Sequence, residues 1–191
     1  MRIGEFILGE GILVRMASLA TGRRTLAGAL FVLLTTIGAY AAVPVPWTPV
    51  PMTLQPLFVL LSGLVLGPSA GAASMTAYIL LGLAGVPVFA AIPAGPGALL
   101  GPTGGFILAF PFAASLCGWL AGPKDAGALR ILLALVAGIL VIYMAGAAQL
   151  ALLTGSTLAQ AFRNGVLPFA LGDAAELLVA MALAIRLRPR I

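Results

Sequence analysis

A chain of 191 residues, 62% of them hydrophobic and only 8% charged, cannot cover itself with a water-facing surface, because soluble domains carry about a quarter charged residues. Its mean hydropathy of +1.17 makes lipid the outer solvent. Since one crossing of the hydrocarbon takes roughly 20 apolar residues, this length holds about six membrane helices in one domain, with no room for a soluble catalytic unit. A net charge of +5 would suit nucleic acid, but the basic residues stand singly or in short groups at segment ends. That placement excludes a nucleic-acid surface and suits membrane topology.

Along the chain, Met1 to Arg24 mixes Arg2, Glu5, Glu10, Arg15, Arg23 and Arg24 with apolar residues, an N-terminal cytoplasmic or interfacial segment. Residues 25–188 then make the transmembrane domain. Arg23-Arg24, the apolar run after them and Ala39-Tyr40-Ala41 imitate a signal peptide, but the preceding segment is too long and the run long enough to span, so a retained helix is expected. Helix 1 is predicted from Thr25 to Val43. Four prolines between Pro44 and Pro51 force the next stretch to be extended. Helix 2 follows at Thr53 to Leu66, a turn at Gly67-Pro68, and helix 3 at Ser69 to Ala84. Gly85 to Thr103 is rich in Gly, Pro and Ala, long for a plain connection and too apolar to stand in water, which suits a lid folded over the helices. Helix 4 is expected from Gly104 to Ala121 with a kink at Pro111, helix 5 from Ala128 to Leu153, and helix 6 from Pro168 to Arg186.

The positive-inside rule sets the orientation. With both termini cytoplasmic, Arg2, Arg15, Arg23, Arg24, Lys124, Arg130, Arg186, Arg188 and Arg190 lie inside and only Arg163 lies outside. The proline-rich loop, the glycine-rich loop and the segment before helix 6 then all face the exterior, where a solute arrives.

Asp173 and Glu176 are the only acids in any predicted span, and ionisable groups at that depth face a cavity or a partner. Three residues apart, they share one face of helix 6. Asp173 either contacts a ligand or pairs with a basic residue such as Arg163; Glu176 stands equally between ligand contact and a structural role. Gln55, Tyr78 and Gln149 fall at similar depth, with Trp47 and Thr103 in the external loops; Tyr78 and Trp47 also suit interfacial anchoring. Gly63–Gly67, Gly67–Gly71 and Gly118–Gly122 are small-xxx-small pairs for helix packing. Cys117 is a small apolar filler, and the chain has no histidine to build a metal site with it. Gly101-Pro102-Thr103-Gly104-Gly105 lacks the Lys-Ser/Thr of a phosphate loop.

Four stretches in order carry a family resemblance: Val43 to Gln55 (VPVPWTPVPMTLQ), Tyr78 to Ala90 (YILLGLAGVPVFA), Leu100 to Phe106 (LGPTGGF), and Pro168-Phe169 followed by Gly172-Asp173. The chain resembles the biotin-specific S components of energy-coupling-factor (ECF) transporters over most of its length from helix 1 to helix 6. The resemblance implies an all-α membrane protein, a six-helix S-component bundle in the bacterial inner membrane. It also implies capture of biotin or a biotin-like small molecule, without cofactor or catalysis. The partners implied are an ECF coupling transmembrane protein, two ABC-type ATPases and membrane lipid. Asp173 would accept from the ureido N–H groups, while Gln55 or Thr103 serves the ureido carbonyl.

Three features depart from the family pattern. A lysine usually stands three residues after the aspartate, where this chain has Glu176. The loop from Gly85 to Thr103 holds no basic residue, so the ligand carboxylate lacks an evident counter-ion. The small residues four apart on helix 1 are displaced to Thr35–Ala39 and Gly38–Ala42. An S component for another vitamin is the near alternative. An intramembrane enzyme using Asp173 and Glu176 as an acid–base pair is a distant one.

Overall fold

The structure, a computed structural model, describes residues 3–90, 95–123 and 125–188, with side chains from residue 22 onward. It is all-helical. α1 runs from Ile3 to Tyr40, α2 from Gln55 to Leu66, α3 from Pro68 to Leu83, α4 from Pro96 to Leu100 and α5 from Gly104 to Leu108. α6 spans Phe110–Ala121, α7 Ala128–Thr154, α8 Leu158–Gly165 and α9 Ala170–Leu187. The only β pairing among the described residues is an isolated antiparallel bridge between Val43 and Met52.

Most predicted helices appear within a few residues of their expected ends, and the differences have local causes. α1 begins at Ile3, so the N-terminal segment and the first predicted helix are one continuous element through Arg23-Arg24. The predicted fourth helix is divided into α5 and α6 at Ala109, two residues before Pro111, which has no N–H to offer the carbonyl one turn earlier. The stretch 85–103 contains the short helix α4, and its residues 91–94 lie outside the described residues. So do Arg2, Lys124 and Arg190 of the charge count.

α8 was not expected. It starts at a capping box in which the Thr157 side chain accepts from the Gln160 N–H and the Gln160 side chain accepts from the Thr157 N–H. A bend of 65° separates it from α9. Among the described residues only α7 is long and apolar enough to cross a membrane by itself; α8 and α9 qualify only as a bent pair, and α2 and α6 are shorter apolar helices.

The core lies where α2, α3, α6 and α7 meet, around the fully buried Leu60, Met75, Tyr78, Ile131, Leu135 and Ile142. Close approach at this junction depends on Gly63. A Cβ there would sit 2.0 Å from the Ala114 carbonyl oxygen, and a Cβ on Gly118 would sit 2.5 Å from the Gly63 carbonyl oxygen. The small-xxx-small pairs thus divide their labour. Gly63, Gly71 and Gly118 pack helices, while Gly67 (φ 86°) and Gly122 (φ 63°) end them in left-handed geometry that suits glycine.

Two cations close the opposite end of α6. Arg130 Nε donates to the Leu120 carbonyl at 2.8 Å, and Arg188 Nη2 donates to the Gly122 and Pro123 carbonyls, each at 2.8 Å. Positive charge at a helix C-terminus opposes the partial negative charge of its unpaired carbonyls.

Candidate functional site

The proline-rich segment builds the first wall of the site. Val43 and Met52 exchange backbone hydrogen bonds of 2.8 and 3.0 Å, and the Leu54 N–H reaches the Gly38 carbonyl at 3.1 Å. These bonds fold residues 43–54 back across α1 and bring Val50 to Thr53 against the start of α2. The opposite walls come from α5 and the start of α6 (Thr103, Phe106, Ile107, Phe110), α7 (Ile142, Tyr143) and the entry to α9 (Phe169, Asp173). Together with Gln55, Pro56 and Ala90 they enclose a cavity of about 60 Å³. That is several times the space one water needs, roughly 10–15 Å³.

Close backbone contact at the Gly104-Gly105 pair makes this geometry possible. A Cβ on Gly104 would fall 1.8 Å from the Leu99 carbonyl oxygen, and one on Gly105 would fall 2.4 Å from the Ala145 carbonyl oxygen. Residues 99–105 can therefore lie directly on α7, which carries Thr103 and Phe106 to the cavity.

Asp173 is 5% exposed, in the first turn of α9, where the helix dipole favours an anion. The Tyr143 hydroxyl donates to its Oδ2. Its Oδ1 has no protein partner among the described residues. Arg163 stands exposed on α8 and makes no ion pair with Asp173.

Gln55 is buried at the first residue of α2 and lines the same cavity. Its Nε2 donates to the Tyr78 hydroxyl at 2.8 Å, and its Oε1 accepts from the Thr53 hydroxyl at 3.2 Å. Thr103 lines the cavity with a hydroxyl that no protein group engages among the described residues.

The other expected residues stand behind the walls or away from them. Tyr78 is fully buried outside the cavity; its hydroxyl donates to the Val88 carbonyl at 2.6 Å, and its ring meets Phe89 edge-on at 5.4 Å. It ties α2, α3 and the stretch after α3 together. Gln149 Nε2 donates to the Leu99 and Gly101 carbonyls at 2.7 and 2.9 Å, fastening the loop before Thr103 to α7. Trp47, 69% exposed, lies outside the cavity.

Glu176 is buried but turned from the cavity, toward a second, larger hollow of about 710 Å³ that shares the Met52-Thr53 wall and opens between α1 and α9. Its Oε2 accepts from the Leu57 N–H at 3.1 Å.

Tyr143 was missed by the sequence reading. Its signal was available: it is the only aromatic residue in the 27-residue α7, and a hydroxyl there needs a partner at membrane depth.

This arrangement defines a class: an all-helical protein with a cavity between a folded loop and helix ends, mostly apolar in its walls and with a few convergent polar groups, as small-molecule sites have. Comparison with known proteins gives the family. The BioY family profile matches residues 15–191. The probable biotin transporter BioY of Pyrococcus horikoshii is 45% identical over 160 residues, covering 84% of this chain and 93% of that protein. The biotin transporter BioY of Thermotoga maritima is 37% identical over 166 residues, covering 87% and 96%. A crystal structure described as the S-component for biotin from an ECF-type ABC transporter matches with a TM-score of 0.82 and 25% identity, over 90% of this chain and 94% of that one. The chain belongs to the BioY family. The resemblance read from residues 43–55, 78–90, 100–106 and 168–173 is therefore correct, and this is a transporter subunit rather than an enzyme.

Proposed function

We propose that this chain captures biotin from outside the cell for an ECF-type importer, holding it in the cavity between α2, α5, α7 and α9. The observation that carries this reading is the convergence of Asp173, Thr103 and Gln55, with Thr53 and Tyr143 beside them, on one cavity whose remaining walls are apolar. The ureido ring has two N–H donors and one carbonyl acceptor. Asp173 Oδ1 accepts from the ring N–H groups, and the Thr103 hydroxyl and the remaining Nε2 hydrogen of Gln55 serve the carbonyl. Phe106, Ile142 and Phe169 cover the thioether ring, as apolar walls do in small-molecule sites. Tyr78 and Gln149 brace these walls. Trp47 sits at the membrane interface, where its amphipathic ring belongs. The described parts of the segment, 85–90 fastened through Tyr78 and 95–103 through Gln149, serve as the lid.

The setting is a multi-pass protein of the bacterial inner membrane. It crosses six times, by α1, α2, α3, α5 with α6, α7 and α9, with both termini in the cytoplasm. An ECF coupling protein and two ATP-binding-cassette ATPases complete the importer. One feature favours a second ligand class: no basic side chain lines the cavity among the described residues. A biotin-like compound with an uncharged tail fits that wall chemistry as well.

The test is equilibrium binding of radiolabelled biotin to the purified chain in nanodiscs, competed with biotin methyl ester. Saturable binding that Asp173→Ala weakens by roughly tenfold to a hundredfold is the expected result, because hydrogen bonds to a charged group contribute roughly 1.5–3 kcal/mol. Failure of folded protein to bind biotin or its ester would remove the ligand assignment. An Asp173→Ala variant binding as tightly as the parent would remove the anchor.

A further inference from the structure

Glu176 has a hydrogen-bonding task that joins two walls of the site. α2 begins without a conventional cap: Leu54, at the N-cap position, has no side-chain acceptor, and Pro56 has no N–H. The Leu57 N–H, at the third helical position, is the donor that an N-cap side chain usually receives. Here the acceptor comes from another helix. Glu176 Oε2 on α9 takes that N–H at 3.1 Å, with Glu176 and Leu57 each 8% exposed. A buried N–H at this depth has no water to turn to. The carboxylate in turn gains from the partial positive charge of the α2 terminus.

We infer that Glu176 is a positioning residue that caps α2 from across the α2–α9 interface, and thereby fixes Gln55 on α2 relative to Asp173 on α9. Gln55 stands two positions before the capped amide, with only Pro56 between, and one helical turn separates Asp173 from the capping carboxylate. The two polar walls of the cavity are thus bridged by one bond that lies outside it. What position 176 must supply is an acceptor of the right reach, not a charge. The ligand part of this inference rests on the biotin reading; the cap does not.

The experiment compares parent, Glu176→Gln, Glu176→Asp and Glu176→Met as full-length chains in nanodiscs. Radiolabelled biotin affinity is measured alongside amide hydrogen exchange over residues 54–60. Gln keeps an acceptor at the same reach and should bind within about twofold of the parent, with unchanged exchange. Asp keeps the charge but withdraws the acceptor by one methylene, and Met removes it; both should bind about tenfold more weakly and exchange faster at the start of α2. A Glu176→Gln variant as weak as Glu176→Met would overturn the inference in favour of a role for the charge itself. So would parent-like binding in all three variants. If the parent binds no biotin, the ligand reading is what fails, and exchange alone decides the cap: unchanged exchange in Glu176→Met overturns it.

Discussion

Asp173 lines the cavity with one oxygen engaged by Tyr143 and the other without a protein partner among the described residues. A carboxylate in a low-dielectric setting is costly unless hydrogen-bonded, and the Tyr143 hydroxyl both lowers that cost and selects the rotamer. Tyr143→Phe should therefore weaken biotin binding roughly tenfold. In the Asp173→Ala background it should add almost nothing, because the two residues act as one unit. Additive losses in that double-variant cycle would show that Tyr143 acts on the ligand independently. Of the seven side chains picked out in the sequence, three line the cavity: Asp173, Gln55 and Thr103. Tyr78 and Gln149 were legible as buried polar groups, but not as braces, because a brace is defined by its partner. Those partners, the carbonyls of Val88, Leu99 and Gly101, are backbone groups that carry no mark in a sequence.

At the scale of elements, glycine sets how near the helices come. Replacing Gly63 by Ala forces a methyl group onto the Ala114 carbonyl oxygen, which backbone cannot easily yield. Overpacking of this kind costs roughly 1–3 kcal/mol, so Gly63→Ala should lower the melting temperature by several degrees. Gly97→Ala should not lower it, because nothing stands within 4 Å of a Cβ there. Equal melting temperatures for the two variants would mean that the α2–α6 approach is not constrained as described. The long helices were legible because apolar runs bounded by Gly and Pro permit little else. The break at Ala109 was legible in part, through Pro111. α8 was not found, although Thr157 and Gln160 have the spacing of a capping box, because a polar eight-residue helix has no apolar run to announce it.

For the whole molecule, the proposed orientation rests on how the cations are distributed. Arg130 and Arg188 meet at the α6–α7 turn, and Arg163 stands on α8 near the other end of the bundle. With Cys117, the only cysteine, replaced by Ala, single cysteines at Trp47 and Arg163 should react with an impermeant maleimide added to intact cells. One at Asp125 should react only after permeabilisation. Labelling of all three from the same side would sink the assigned topology.

The cross-helix bonds also have a consequence for how the protein is made. α9 follows every other described helix in the chain, yet it supplies Asp173 to Tyr143 and Glu176 to Leu57, and Arg188 just beyond it reaches the carbonyls of Gly122 and Pro123. Each of those partners leaves the ribosome earlier and gains these particular bonds only when α9 arrives, although the Pro123 carbonyl already accepts from the Ala126 N–H at 3.1 Å. The polar seams along α9 therefore close after those that join the earlier elements, such as Gln55 to Tyr78 and Gln149 to Leu99, so a stalled or shortened chain leaves the Leu57 amide without the Glu176 acceptor. Arrival of α9 becomes the step at which the α2, α7 and α6–α7 turn partners are tied to one element.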